Sequence, residues 1–303
     1  MKHCFIINPV AGKRDLQQEL YRRILNAAEK RQEKYEVYFT IGKKDATEYV
    51  RRILKNRQEP VRFYACGGDG TLNEVVNGIA GAQDVSVGMI PCGTGNDFIK
   101  NFSGNLDFLN IEAQLQGRLQ TVDLIRYGED YAVNMCNIGF DASVAHNMVR
   151  FKRLPLLKGS GAYSMSVLYC LASRLGNELS VQLDDGAEVH NHFLLSLAAN
   201  GFCYGGGYFG APRAKVDDGL LDFCAVKKIS RFKIMDLIQY YKKGQHLEIP
   251  KLEPYITYYQ CKKLRFASAL PFVVCVDGET FQTREIEFQV VPKALQFIVP
   301  ERR

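Results

Sequence analysis

Residues 4–7 (Cys-Phe-Ile-Ile) form a short apolar run that predicts a buried strand, and Asn8-Pro9-Val10-Ala11-Gly12 breaks it. From Asp15 the spacing changes. Leu16, Leu20, Ile24, Ala27 and Ala28 recur every three or four residues, which predicts an amphipathic helix with Asp15 as its N-cap. Residues 36–41 alternate as a strand, and Asp45-Ala-Thr-Glu48 has the form of a capping box opening a helix to about residue 56. A third strand, 61–66, runs into Gly67-Gly68-Asp69-Gly70, where Thr71-Leu72-Asn73-Glu74 reads as a second capping box. A fourth, 85–90, leads into Pro91-Cys-Gly-Thr-Gly-Asn96 and a short helix. Strands alternating with helices at this spacing predict a doubly wound parallel α/β domain over residues 1–122. Its glycine turns follow strands, at the carboxyl edge where open α/β sheets bind ligands.

Past residue 121 the pattern becomes β-rich, at 121–126, 131–138, 179–199, 219–227, 262–267, 272–276 and 284–299. These segments predict a second, antiparallel and sandwich-like domain over 123–303, with return of the last strand to the first domain left open. Helical patterns interrupt it near 161–175 and 230–243, and the first is apolar enough to predict a core helix.

A length of 303 residues suits two such domains, and 47% hydrophobic with 24% charged residues excludes a disordered chain. The nine cysteines are odd in number and lack a C-x-x-C pair, a reduced, cytoplasmic pattern rather than a disulfide or zinc framework. The N-terminal apolar run is too short for a signal peptide, and no stretch approaches the roughly 20 apolar residues of a membrane span. Membrane contact is therefore expected to be peripheral. A net charge of +6 favours anionic partners only weakly, and no nucleic-acid partner is expected. His190 and His192 share a strand face but have no third ligand at useful spacing, and no G-x-S-x-G hydrolase signature occurs.

The glycine turns carry the chemistry. A phosphate must be approached by backbone N–H groups, so a glycine-rich turn at a helix N-terminus is an apt anion site. Helix capping explains Thr71 and Glu74 without a ligand but not Asp69, whose carboxylate calls for a cation such as Mg²⁺ between it and a phosphate. Gly12-Lys13-Arg14 departs from the Walker A pattern, and Gly68-Asp-Gly70 runs on to Asn73 rather than completing G-x-G-x-x-G.

Gly67-Gly-Asp-Gly-Thr-Leu-Asn-Glu74, Pro91-Cys-Gly-Thr-Gly-Asn-Asp-Phe98, Gly205-Gly-Gly207 with Ala211-Pro212, Lys215-Val-Asp-Asp-Gly-Leu220 and Asp277-Gly-Glu279 follow in order along the chain. Together they resemble the diacylglycerol kinase catalytic family of bacterial soluble lipid kinases. The resemblance implies an ATP- and Mg²⁺-dependent kinase that phosphorylates a lipid hydroxyl in the cleft between its two domains, with diacylglycerol the leading acceptor. It implies ATP contacts from Asn8, Pro9, Val10, Ala11, Gly12, Thr40, Gly67, Gly68, Asp69, Gly70, Thr71, Leu72, Asn73, Glu74, Gly93, Thr94 and Asn96. Catalytic roles would fall to Asp69, Asp97 and an acidic proton acceptor, either Asp277 or Glu279. If the strand persisted through Gly278 those two carboxylates would point to opposite faces, while Asp-Gly is also a strong hairpin signal. The resemblance further implies a small structural metal site at Lys215, Asp218 and Leu220. Other lipids (a sphingoid base, phosphatidylglycerol, a polyprenol), NAD as acceptor, and a non-catalytic lipid-binding regulator remain alternatives. The lipid partner would be met at a membrane surface, and a homodimer is left open. Arg150-Phe-Lys-Arg-Leu-Pro-Leu-Leu-Lys158 interleaves basic and apolar residues, as either a docking loop or a packed linker.

Overall fold

The computed structural model describes residues 1–12, 14–93, 95–151, 160–173 and 175–301. The chain divides into two compact units, Met1–Leu124 with Val291–Arg303, and Ile125–Val290. The first begins with β1 (Lys2–Ile7), α1 (Arg14–Arg31), β2 (Lys34–Phe39), α2 (Asp45–Asn56), β3 (Val61–Gly67), α3 (Asp69–Ile79) and β4 (Val85–Pro91). A 3₁₀ turn at Phe98–Asn101, α4 (Ile111–Leu115) and β5 (Arg118–Tyr127) follow. Next come β6 (Asp130–Ala132), β7 (Met135–Gly139), α5 (Phe140–Phe151), α6 (Ser160–Ala172), β8 (Asn177–Leu183) and β9 (Val189–Ala199). The last elements are β10 (Leu221–Lys227), α7 (Arg231–Lys242), β11 (Ile256–Cys261), β12 (Lys263–Val276) and β13 (Glu279–Val299).

In the first unit the strands run parallel in the order β2-β1-β3-β4, and the end of β13 pairs parallel with β4 through Phe297 and Val87. Ile7 lies opposite both Phe39 and Cys66, and Gly67 opposite Pro91, so four strands end on one edge. One face of the sheet packs Phe5, Ile7, Tyr64, Cys66 and Ile90 beneath Leu20, Ile24 and Ala27 of α1 and Ile111 and Leu115 of α4. Of the periodic apolar positions read from the sequence, Leu20, Ile24, Ala27 and Ala28 are on the face that α1 buries. The second unit is mainly antiparallel, with β11-β10-β9-β7-β12-β13 in order and β8 paired to both β9 and β12. Alternation along β10 separates its cores: Phe223 and Ala225 join one apolar cluster, Cys224 and Val226 the other.

Several local expectations are corrected. Helix α1 starts at Arg14, which puts Asp15 within its first turn. Neither capping box forms. Helix α2 has Lys44 in a left-handed conformation at its N-cap, and the carboxylate of Glu74, from α3, accepts the N–H groups of Lys44 (2.9 Å) and Ala46 (3.3 Å). An acidic group from the neighbouring helix thus satisfies donors that the local sequence was expected to satisfy. The segments 262–267 and 272–276 are one strand interrupted by a register shift between Ala267 and Phe272, and α5 and β11 were not anticipated. The expected core helix near 161–175 is α6, which leaves Met165, Leu168 and Tyr169 exposed.

The end of β13 is held by aromatic packing: Phe297 is fully buried, edge-on to Phe98 (5.1 Å between centroids) and stacked on Phe102 (4.8 Å). Truncating a buried Phe costs about 3–5 kcal/mol. Phe297→Ala is therefore expected to lower unfolding free energy by about that amount in a denaturant titration, with Phe297→Leu milder. A loss under about 1 kcal/mol for the alanine variant would show that this packing does not hold the last strand.

Candidate functional site

Loops leaving the shared strand edge are tied to one another by main-chain bonds. The Asn8 N–H donates to the Cys66 carbonyl (3.0 Å) and the Thr40 N–H to the Ile7 carbonyl (2.9 Å), so both residues continue their strands. The Asn8 amide donates to Thr71 Oγ1 (3.1 Å) while its Oδ1 accepts the Val10 N–H (3.1 Å). From α1, the Gln17 amide donates to the carbonyls of Pro9 and Ala11, fixing a loop in which Pro9 and Val10 are exposed. A Cβ on Gly67 would stand 2.2 Å from Thr71 Oγ1, so the hydroxyl occupies the space that the glycine leaves.

The turns after β3 and β4 are in backbone contact. The Gly67 carbonyl accepts the N–H groups of Cys92 (2.8 Å) and Gly93 (3.2 Å). A Cβ on Gly93 would lie 2.7 Å from Gly68 Cα, and one on Gly12 (φ 76°) would lie 2.5 Å from the Cys92 carbonyl oxygen. Three strand-end turns therefore converge at distances only glycine permits. Helix α3 starts at this point with Gly68 as N-cap and Gly70 exposed, so its N-terminal dipole and orphan N–H groups belong to the same turn. Asn96, at φ 51°, donates its amide to the Gly93 carbonyl (2.8 Å), while its Oδ1 is buried with no hydrogen-bond partner in the protein.

Asp69 has a protein role that its sequence context did not disclose. Its carboxylate accepts the N–H groups of Asp97 (3.1 Å) and Phe98 (3.2 Å), capping the 3₁₀ turn, so a cation is not required to account for it. Asp97 is buried and its carboxylate meets the Lys100 ammonium at 2.5 Å. Both carboxylates flank Gly95, where an added Cβ would lie 3.1 Å from Asp69 Oδ2 and 3.5 Å from Asp97 Oδ2. Leu72 is a buried core residue, Asn73 accepts from the Asn77 amide, and Glu74 caps α2. The structure thus gives these three helix positions packing and capping work, while Thr94 lies outside the described residues. Burial raises the thiol pKa of Cys66 and of Cys92 above the usual range, with Arg23 opposing the shift at Cys92, so neither thiol is an activated nucleophile.

In the second unit the strand does not persist through Asp277-Gly278. With φ of 44° and 94° the pair forms a tight hairpin turn between β12 and β13, as left-handed Asp-Gly pairs do. Asp277 Oδ2 accepts the Val133 N–H (2.6 Å), and Oδ1 accepts those of Asn134 (3.1 Å) and Met135 (2.9 Å). This carboxylate could take up a proton only by disturbing those bonds. Glu279, the first residue of β13, is exposed.

Residues 2–127 match the diacylglycerol kinase catalytic domain, and residues 134–299 match the YegS C-terminal NAD kinase beta sandwich-like domain. A Shewanella frigidimarina protein named "Probable lipid kinase YegS-like" is 30% identical over 242 residues, which cover 77% of this chain and 75% of that protein. The chain belongs to the diacylglycerol kinase and YegS-like lipid kinase family. It is accordingly a phosphotransferase. A diacylglycerol kinase of Staphylococcus saprophyticus is 28% identical over 280 residues, covering 90% of this chain and 87% of its own. The crystal structure of a diacylglycerol kinase from Bacillus anthracis shares the fold, with a TM-score of 0.71 at 20% identity over 98% of this chain and 96% of that one.

Elsewhere in this lipid kinase, Asp218 accepts the Leu220 N–H (3.1 Å) and the Gln260 amide (3.3 Å), folding the Lys215–Leu220 turn against β11. Among the described residues no group of three His, Cys, Asp or Glu side chains is placed to hold a metal. His190 is exposed and His192 Nε2 lies 2.8 Å from the Leu175 carbonyl oxygen. In Arg150–Lys158, residues 152–158 lie outside the described residues. Two features had no sequence signal because distant contacts make them. His146 Nδ1 lies 3.0 Å from Thr280 Oγ1, next to Glu279, and the Tyr204 hydroxyl, beside the Gly205–Gly207 turn, donates to Asp141. Burial pushes the Asp141 carboxyl up to about 6, with the Tyr204 hydrogen bond opposing.

The two acidic residues of the turn are expected to separate by stability. Asp277→Asn places an amide donor among three N–H groups and should cost about 1.5–3 kcal/mol, whereas Glu279→Gln, at an exposed side chain, should cost clearly less. Equal losses for both variants would contradict the assignment of Asp277 to the turn.

Proposed function

We propose that this lipid kinase transfers the γ-phosphate of ATP to the hydroxyl of diacylglycerol, giving phosphatidic acid. The observation that carries this reading is the convergence of the Gly12, Gly68 and Gly93 turns at the start of α3. Exposed backbone there suits a triphosphate, with the helix dipole favouring its charge. The Asn8 side chain braces that backbone through Thr71 and Val10, and Thr40 continues β2 beside it. Asn96 Oδ1 is an acceptor, so it suits a ribose hydroxyl or adenine amine and not a phosphate oxygen. Mg²⁺ needs one or two carboxylates when phosphate and water complete its shell, and Asp69 and Asp97, which flank Gly95, would hold it, since the several lone-pair sites of an ionised carboxylate can serve a cation alongside the bonds from Asp97, Phe98 and Lys100. When bound, the ion would neutralise charge on the transferring phosphoryl group.

For the proton acceptor we assign Glu279, because Asp277 is committed to its turn. General-base catalysis needs an acceptor able to reach the hydroxyl proton, and such groups contribute at least about a hundredfold. Diacylglycerol as acceptor is supported by the name of the Staphylococcus saprophyticus relative. The test is product analysis with labelled ATP and Mg²⁺ against diacylglycerol in mixed micelles, a sphingoid base, phosphatidylglycerol, a polyprenol and NAD. Labelled phosphatidic acid is expected, with its formation reduced about a hundredfold or more in Glu279→Gln. Labelling of NAD or another lipid alone would overturn the acceptor, and near wild-type turnover of Glu279→Gln would overturn the base.

A further inference from the structure

Helix α6 contains no charged residue over Ser160–Ala172, yet it does not lie wholly inside the protein. Ser166 and Cys170 are buried, while Met165, Leu168 and Tyr169 are 40%, 61% and 47% exposed, at the three- and four-residue spacing of a single face. An ordinary surface helix turns polar residues to water, and this one turns apolar residues.

The end of α6 is joined to the start of α7. The Arg231 guanidinium donates to the carbonyls of Leu171 (2.7 Å) and Ser173 (3.3 Å), closing the last turn of α6 with a cation. Directly after it, Phe232 is 90% exposed and Met235 is 60% exposed. Isolated surface apolar residues need no explanation, but five large ones drawn from two joined helices form a candidate contact surface. The charge beside them is positive: Lys228, Arg231 and Lys233 are exposed, with the Lys233 ammonium donating to the Tyr255 hydroxyl (2.5 Å) and lying over its ring, and the acidic Asp236 is paired with Lys251 at 2.6 Å.

We infer that the α6–α7 junction is a membrane-docking surface for an anionic leaflet, with Phe232, Met235, Leu168 and Tyr169 entering the interface, Lys228 facing lipid phosphates, and the exposed Arg231 and Lys233 adding positive charge beside them while they hold their protein partners. The inference rests on the lipid-acceptor reading, since a bilayer-dissolved substrate must be met at its surface. It is supported by the combination that interfacial helices use, namely bulky apolar and aromatic groups bordered by Lys and Arg. Among the described residues no helix is long and apolar enough to cross a membrane, so contact of these helices with lipid would be peripheral.

The test uses the full chain in sedimentation with phosphatidylcholine vesicles, with and without phosphatidylglycerol. Phe232→Ser with Met235→Ser should weaken partitioning at least about tenfold, because two buried apolar side chains are lost from the interface. Leu168→Ser with Tyr169→Ser should act in the same direction. Lys228→Gln with Lys233→Gln should weaken binding only to anionic vesicles and lose its effect at high salt. All three variants should melt like the parent and phosphorylate a short-chain, water-dispersed diacylglycerol at the parent rate. Unchanged vesicle binding by the Phe232 and Met235 variant would overturn the inference. So would loss of self-association in that variant by analytical ultracentrifugation with vesicle binding intact, which would assign the surface to a second copy. Failure of every variant and the parent on the short-chain acceptor would instead count against diacylglycerol as substrate, leaving the binding result to be judged separately.

Discussion

Gly68 and Gly93 meet backbone to backbone at the carboxyl edge of the parallel sheet, and a single Cβ on Gly93 would stand 2.7 Å from its neighbour's Cα. That contact sets the spacing of the turns after β3 and β4, and the Gly67 carbonyl bonding both Cys92 and Gly93 keeps it. Gly12 brings the turn after β1 against the same backbone. Glycine loses more conformational freedom on folding than other residues, by about 0.5–1 kcal/mol each relative to Ala in regular structure. The aromatic anchor at Phe98, wedged against Phe102 and Phe297, offsets such losses by fixing where the second turn ends.

Carboxylates organise the turns as much as glycines do. Asp69 closes the 3₁₀ turn, Glu74 closes the start of α2, and Asp277 gathers three N–H groups around its hairpin. Buried Asp123 does the same for the last strand, accepting the Lys293 N–H at 2.7 Å. Charge-assisted bonds of this kind are roughly twice as strong as neutral ones, so they hold exposed loop backbone in place before any ligand arrives. A site arranged in advance spends less binding energy on ordering itself.

The alternation of strands and helices, and the placement of glycine turns after strands, were legible because they depend on local periodicity and chain order. The identity of each cap was not. Thr71-Leu-Asn-Glu74 has the composition of a capping box, but Thr71 is held by Asn8 across 63 residues and Glu74 by the backbone of α2. The protein-side role of Asp69 was hidden because the N–H groups it accepts, those of Asp97 and Phe98, lie 28 and 29 residues away. In Asp277-Gly278 the hairpin signal was present, and the choice between turn and catalytic roles depended on the link between β6 and β7 (Val133 and Asn134) and the start of β7 (Met135) supplying the N–H groups, which spacing alone cannot reveal. The apolar character of α6 was equally plain, whereas the exposure of Met165, Leu168 and Tyr169 is set by tertiary packing that local periodicity does not encode.

The central claim is that the two glycine turns and the start of α3 form one nucleotide cradle. Amide hydrogen exchange with and without Mg²⁺–ATP reads that backbone directly, because N–H groups held by a ligand exchange more slowly. The account predicts added protection together in 67–72 and 92–98, with the Lys215–Leu220 turn unchanged. Unaltered exchange in both glycine turns under saturating nucleotide, with protection appearing elsewhere, would contradict it.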